Sequence, residues 1–388
     1  MPSSSATGSP IKVGYVLGET GILASYDAGK ADTAKAWASA VNAAGGLNGH
    51  PVDLIIEDTK SVASSAISVA RDLVETKKVA AVIVSDQVSE GTIADYLASK
   101  HIAVLQGGGS DEAVWSSRPN FYEVTAPIAI TNSGAVGAVV ADGAKKLGAV
   151  TCSDVSSCAT ASHVIEQQAS ALKVGFAASL RVANTATNFT PQCLSVAQKK
   201  VDGLVVALAP ATAVQLALAC RQQGYNGAYS LTGGAFSSQS LSDVTGAHFT
   251  ASLQGFPWWD KSPATKQFRE AIAKYAPKLK IGTSGPTAVW TSLALFQKVV
   301  SGINGEVTRA SIIDGYSAVK NESLGGLLAQ PVTFTADKPS PRVVCYWPVK
   351  YQAGDDAPAT LHPAGRVGNG AKGDLASSCI ASPPPMAR

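Results

Sequence analysis

The chain has 388 residues, 46% of them hydrophobic and 15% charged, with 31 Lys+Arg against 28 Asp+Glu and a net charge of +3. That length predicts two or three domains with real cores, and the near-balanced charge gives no reason to expect a nucleic acid or an acidic membrane surface as partner. No apolar run reaches the roughly 18 residues of a membrane-spanning helix, and low charge with ample apolar content excludes a disordered or collagenous chain.

Residues 1–10 (MPSSSATGSP) are small and polar and read as a flexible tail. They lack the basic and apolar regions of a signal peptide, and the alternative reading is the spacer left after removal of a secretion signal. From residue 11 short apolar runs alternate with helical patterns. Strands are expected over Ile11–Leu17, Val52–Ile56, Val79–Val84 and Ile102–Leu105. Helices are expected over Asp27–Ala44, Ala63–Thr76 and Gly91–Lys100, the first stopped by Gly45-Gly46. Strand–helix–strand repetition of this kind builds a parallel sheet with helices on both faces.

Phe121–Val124 reads as a linker strand, and a second series comes after it. Helices Ile128–Leu147, Ala159–Val174, Pro191–Lys199 and Ala211–Gln223 alternate with strands Ala149–Cys152, Phe176–Val182, Gly203–Leu208 and Ala228–Leu231. The alternation then stops. Thr250–Phe256 reads as another linker strand, Pro263–Tyr275 and Pro286–Val300 as helices, and Val332–Tyr351 as strand-like. The economical fold is α/β, with two doubly wound parallel-sheet lobes joined by three crossover segments. Residues 11–123 plus 252–331 form the N-terminal lobe, and 124–251 plus 332–388 the C-terminal lobe. Several crossovers make a hinge.

The six cysteines are Cys152, Cys158, Cys193, Cys220, Cys345 and Cys379. None forms a C-x-x-C pair and His is scarce, so no metal is expected. An even count fits disulfides in an oxidising compartment. Nearest neighbours, 152–158, 193–220 and 345–379, are the favoured pairing. Parallel helices would, however, hold Cys193 and Cys220 far apart, and the other pairings stay open.

No catalytic set is visible, and the chain is not expected to be an enzyme or to carry a cofactor. Gly14, Gly18 and Gly21 are spaced GxxxGxxG rather than GxGxxG, and no Walker loop or G-x-S-x-G occurs. Asp111-Glu112 suits a helix N-terminus better than paired acid–base chemistry. The telling stretch is Gly107-Gly108-Gly109-Ser110, between a strand and a short helical pattern. Glycines admit close approach to backbone N–H groups, which cradle anions at such turns. Asp86-Gln87 end the preceding strand and Tyr26 lies after the first, so all reach the carboxyl edge of one sheet, where α/β proteins bind ligands. Trp258 and Trp259 at the second crossing have the bulk to wall a cleft.

These residues carry a resemblance. Gly21-Ile22-Leu23-Ala24-Ser25-Tyr26, then Asn42-Ala43-Ala44-Gly45-Gly46-Leu47-Asn48-Gly49, and Gly285-Pro286-Thr287-Ala288-Val289-Trp290 resemble the type I periplasmic binding proteins of the branched-chain amino-acid (Leu/Ile/Val) transporter class. The resemblance implies a solute-binding protein of an ABC importer, extracytoplasmic as a periplasmic protein or cell-surface lipoprotein. It also implies a monomer that meets a small-molecule ligand and a permease. The family's carboxylate donors align with Gln87, Gly108 and Ser110, and its first-loop aromatic with Tyr26. With Asp86 and Gly109 these make the first-lobe wall. The opposite wall is expected at Ala209, Pro210, Gly234, Phe236 and Trp258. The Tyr and carboxylate that hold an amino acid's ammonium have no counterpart near Ala209-Pro210 or Gly233-Gly234. An apolar or aromatic carboxylate, or another small neutral metabolite, is therefore expected as ligand in place of a standard amino acid. The alternative is a cytoplasmic small-molecule sensor of the same fold.

Overall fold

The computed structural model describes residues 6–109, 111–154, 158–361 and 375–383. Ser110, one expected ligand donor, lies outside the described residues. The first sheet contains β1 (Ile11–Leu17), β2 (Val52–Asp58), β3 (Ala81–Val84), β4 (Ala103–Gln106) and β5 (Phe121–Tyr122), in the order β2-β1-β3-β4-β5, all parallel. Strands β3 and β4 are buried at every residue, as inner strands of a parallel sheet covered on both faces must be. Between β1 and β2, helix Lys30–Ala43 packs Ala34, Trp37, Ala38 and Val41 inward. Gly45 and Gly46 end it with φ of 102° and 76°, and Gly46 N donates back to Val41 O. Gly29, at φ 77°, separates that helix from the short turn Ala24–Asp27, so the helix starts at Lys30 and not at the expected Asp27.

The second sheet has eight strands: β6 (Lys146–Cys152), β7 (Gly175–Val182), β8 (Gly203–Ala207), β9 (Ala228–Leu231), β10 (His248–Leu253), β11 (Cys345–Gln352) and β12 (Ala359–Thr360) in the order β12-β11-β10-β9-β8-β6-β7, with β13 (Ser378–Cys379) also on β11. Strands β6 to β10 are parallel, and β11 to β13 add antiparallel pairings. Two expectations change here. Helix Ile128–Ala141 ends six residues early, at a turn with Gly143 at φ 109°, and the strand starts at Lys146. The expected linker strand at 250–256 is a central strand of the second sheet, bonded to β9 and β11. A helix over Arg309–Ser317, with Thr308 and Ser311 in a capping box, was not legible from periodicity.

The chain leaves the first sheet after Tyr122 and the second after Leu253. Helices Lys266–Tyr275 and Gly285–Ser301 then pack on Lys30–Ala43, and Cys345 re-enters the second sheet. These are three crossovers between two α/β lobes. The first and third are tied together: Ser340 Oγ donates to Phe121 O at 2.6 Å and accepts from Glu123 N at 3.1 Å, and Arg342 pairs with Glu112. Three disulfides join Cys152–Cys158, Cys193–Cys220 and Cys345–Cys379. The distance objection to the second pair fails because the short helix Thr190–Gln198 starts beside the last turn of Pro210–Gln222: Gln223 Nε2 lies 3.4 Å from Thr190 Oγ1, and the Cys193 and Cys220 Cα atoms are 4.9 Å apart. No helix among the described residues is long and apolar enough to cross a membrane.

Candidate functional site

In each sheet the strand order reverses beside the first strand of the series, at β1/β3 and at β6/β8, and ligands of open α/β sheets lie outside the carboxyl ends at such points. The two carboxyl edges face one another across a cavity of about 60 Å³. Leu23, Tyr26 and Gln87 line it from the first lobe, and Gln254 from the second crossover. The second lobe contributes residues at or just past its strand ends. Cys152 closes β6, Asn184 lies just past β7, Leu208 and Ala209 come directly after β8, and Thr232 and Gly234 after β9. Ile128, Thr131 and Asn132 come from the start of the helix that opens that lobe.

Tyr26 is the element that spans the gap. Its ring lies against Gly234, where a Cβ would come within 2.1 Å of Tyr26 Cε2. Its hydroxyl exchanges hydrogen-bonding distances of 3.3–3.4 Å with the Gln254 carboxamide. On its other side a Cβ at Gly109 would fall 1.6 Å from Tyr26 Oη and 2.2 Å from Gln87 Nε2. Both glycines are therefore notches for this side chain, and Gly109 at φ 52° also needs the left-handed backbone. Burial pushes the Tyr26 phenol far above its ordinary range, so it is a neutral donor and acceptor.

Buried charge stands behind that ring. Lys30 is fully buried, with Nζ 4.0 Å from the Tyr26 ring centroid and 2.6 Å from Asp27 Oδ1. Asp27 Oδ2 also accepts from Gly18 N at 2.9 Å, which fixes the turn after β1. Desolvation draws the Lys30 pKa down and the Asp27 pKa up, and their mutual attraction opposes both shifts. The glycine turn has a second buried support. Glu90 accepts from Asp111 N at 2.7 Å and from Trp115 Nε1 at 2.6 Å. Its pKa is pushed up to about 8, chiefly by burial, against the pull of those two donors. Asp111 caps the short helix after the turn through Ala113 N, and Glu112 faces Arg342, so the adjacent acids have structural partners.

Of the expected site residues, Tyr26, Gln87, Ala209 and Gly234 meet at the cavity. Gly108 and Gly109 lie behind Tyr26, with Gly108 close to Ala288, Gln254 and Lys30. Asp86 is buried one residue away from Gln87 and accepts from Thr59 Oγ1, Ser89 Oγ and Val88 N, which shapes the loop. Pro210 is the first residue of its helix. Phe236 and Trp258 belong to packing: the Phe236 ring is 5.9 Å from Tyr351 and 6.2 Å from Trp258, and Trp258 is 4.8 Å from Trp259. Sequence reasoning missed Asn132, Asn184, Thr232 and Gln254. The carboxyl-edge rule, applied to the second sheet as it was to the first, picks out Asn184 and Thr232.

The second-lobe wall has its own scaffold. Asp154 accepts from Asn184 N at 2.8 Å and from Asn184 Nδ2 at 2.9 Å. Asn184 Oδ1 in turn accepts from Ala209 N at 2.7 Å, and Asn184 O from Thr212 Oγ1 at 2.5 Å. The Cys152–Cys158 bridge pinches the loop that carries Asp154. Among the described residues, no Asp, Glu, Lys or Arg lines the cavity.

Two α/β lobes, three crossovers and a cavity at paired carboxyl edges define a type I two-lobed binding protein. The sequence matches the periplasmic binding protein family over residues 10–356, and the chain belongs to that family. Solved structures with the same fold include three instructive ones. The branched-chain amino acid transporter substrate binding protein LivJ from Streptococcus pneumoniae, in complex with isoleucine, is 18% identical with a TM-score of 0.75, covering 91% of this chain and 99% of that one. A fatty acid ABC transporter substrate-binding protein from Thermomonospora curvata is 19% identical with a TM-score of 0.77, covering 92% and 93%. An ABC transporter solute binding protein from R. palustris, in complex with 4-hydroxybenzoate, is 15% identical with a TM-score of 0.75, covering 94% and 98%. No curated protein matches the chain.

Proposed function

We propose that this protein is the extracytoplasmic solute-binding component of an ABC importer, without catalysis, and that it delivers an apolar or aromatic carboxylate to a membrane permease. The lobes, 11–123 with 252–331 and 124–251 with 332–388, close on the ligand by bending at the crossovers, and Tyr26 meets Gly234 as they do. The observation that carries this reading is the uncharged lining. An amino acid's ammonium buried there without an anionic partner would cost several kcal/mol. A carboxylate is better served, because Tyr26 Oη and the Gln87 carboxamide offer neutral donors beside the glycine turn. Leu23, Ile128, Ala161 and Leu208 supply apolar surface for the remainder. Solved relatives of the same fold take isoleucine, 4-hydroxybenzoate or, by name, fatty acids, so the fold accommodates carboxylates with and without an ammonium. Three disulfides support an oxidising compartment over a cytoplasmic sensor. Calorimetry with isoleucine, phenylacetate and a medium-chain fatty acid tests it. The expected result is saturable binding of a carboxylate lacking the ammonium and none of isoleucine. Tight isoleucine binding would overturn the ligand class.

A further inference from the structure

The carboxamides around the cavity are not equivalent. Asn184 is engaged at both ends, on Asp154 and on the Ala209 N–H, and Gln254 faces Tyr26 Oη. Asn132 also lines the cavity and is only 1% exposed, yet its Oδ1 has no hydrogen-bond partner among the described residues. Its neighbour Thr131 donates its hydroxyl to Ile128 O at 3.0 Å, within the first turn of the helix. A buried polar atom left without a partner destabilises a fold, and native structures rarely retain one without a reason.

We propose that Asn132 is a ligand-contacting, specificity-determining residue, and that it selects a ligand carrying a neutral group that both donates and accepts a hydrogen bond. The inference rests on the solute-binding function proposed for this cavity and deepens it. A primary carboxamide presents a carbonyl acceptor beside an N–H donor, and turning it over exchanges the two without changing what it matches. An alcohol, a phenol or a primary amide satisfies both ends. A carboxylate satisfies the N–H alone and sets its charge against the carbonyl oxygen. An ammonium satisfies the carbonyl alone. With the acid group of the ligand at the Tyr26 and Gln87 wall, the group meeting Asn132 sits at the second-lobe side. The ligand class is then a hydroxy- or amide-bearing carboxylic acid.

The test uses matched probes in calorimetry: 4-hydroxyphenylacetate against phenylacetate, and 4-hydroxybutyrate against butyrate. The native protein is expected to bind at least one hydroxylated probe about tenfold or more tighter than its partner, the usual size of a satisfied buried hydrogen bond. Asn132→Leu is expected to bring the two within about twofold of each other, by removing that same bond. Asn132→Leu is also expected to keep or raise Tm, because it removes an unpartnered polar group. A scaffolding asparagine would instead lower Tm and leave the hydroxyl preference in place, and that result overturns the proposal. Failure of both hydroxylated probes overturns the class as well. Native mass spectrometry of the protein after exposure to a small-molecule extract separates the two readings. A retained acid without hydroxyl or amide defeats the Asn132 proposal alone, and no retained solute defeats the binding reading too.

Discussion

The first-lobe wall of the cleft rests on buried charge, whereas the second-lobe wall rests on carboxamides, small residues and a disulfide. Asp27, Lys30 and Glu90 are all at least nine-tenths buried behind Tyr26 and the glycine turn. Asp154, which positions Asn184 and Ala209, is exposed, and the loop bearing it is pinched by Cys152–Cys158. A covalent pinch with exposed hydrogen bonds suits a wall whose side chains differ between ligands. Buried charges in fixed geometry suit a wall that must present one aromatic side chain at one height. Specificity is then expected to reside in the second lobe and closure in the first.

Removing one partner of a buried ion pair gives the largest expected effect. Lys30→Met leaves Asp27 without its cation, and such losses cost about 3–5 kcal/mol. The exposed pair Asp32–Lys35 in the same helix, 3.8 Å apart and more than half exposed at both ends, is the control, and Lys35→Met should leave Tm within error. Equal shifts for the two variants would refute the difference drawn between buried and exposed charge. Next comes Gly234→Ala, which places a methyl 2.1 Å from Tyr26 Cε2. Overpacking of this kind costs about 1–3 kcal/mol, here charged to the closed form, so ligand affinity should fall roughly ten- to hundredfold. Small-angle scattering should show a larger radius of gyration in the liganded variant than in the liganded native protein. Pairing the change with Tyr26→Ala should restore closure; no restoration would mean that Gly234 matters for some other contact.

Much of the first wall was legible because its residue types announce their roles. Three consecutive glycines after a buried strand mark a turn that side chains cannot occupy, Gln87 lies just past the end of β3, and Tyr26 follows β1 in the same sheet. The second wall was legible only in part: Ala209 and Gly234 were reached through the family resemblance, and both line the cavity. Asn184 and Thr232 are ordinary loop residues singly and gain meaning only when four strand ends converge, which is a non-local fact. Reading the helix from 128 through to 147 hid the first residues of β6, while the β6/β8 reversal is set by strand pairing, which strand bounds do not show. Phe236 and Trp258 attracted attention by size, yet large aromatic rings near a crossover fill core volume more readily than they line a small cavity. Lys30 gave no signal, since a lysine in an amphipathic helix normally points to water and only the fold shows Asp27 and Tyr26 enclosing it.

Glu90 sharpens the comparison through pH. An unfolded glutamate releases its proton near 4.5, and in the folded chain Glu90 keeps it to about 8. Between those values the unfolded state binds fewer protons, so stability falls as pH rises. The contribution is fully present below about 4.5 and gone above about 8, with a slope of at most about 1.4 kcal/mol per pH unit. Thermal unfolding from pH 5 to pH 8 should show Tm falling in the native protein and a shallower dependence in Glu90→Gln. The same slope in both would place the pH dependence elsewhere. Because folded Glu90 keeps its proton across most of this interval, its hold on Asp111 N is unchanged there, and ligand affinity should vary through Glu90 only as pH approaches about 8.

The smallest expected effect belongs to the second wall. Asp154→Ala removes two hydrogen bonds to Asn184 in an exposed setting, and about 1 kcal/mol or less of stability should go with them. Its consequence for binding should be larger than its consequence for Tm. Asn184 Oδ1 holds Ala209 N, and both residues line the cavity, so loosening Asn184 moves wall atoms that a folded core elsewhere does not feel. Asp154→Asn retains one acceptor and should recover much of the affinity, which separates positioning from simple charge. Reduction of Cys152–Cys158 in the native protein should act in the same direction, since it releases the loop that carries Asp154. If Asp154→Ala lowered Tm by several degrees while leaving affinity unchanged, the second wall would be held as rigidly as the first, and the division of closure and specificity between the lobes would fail.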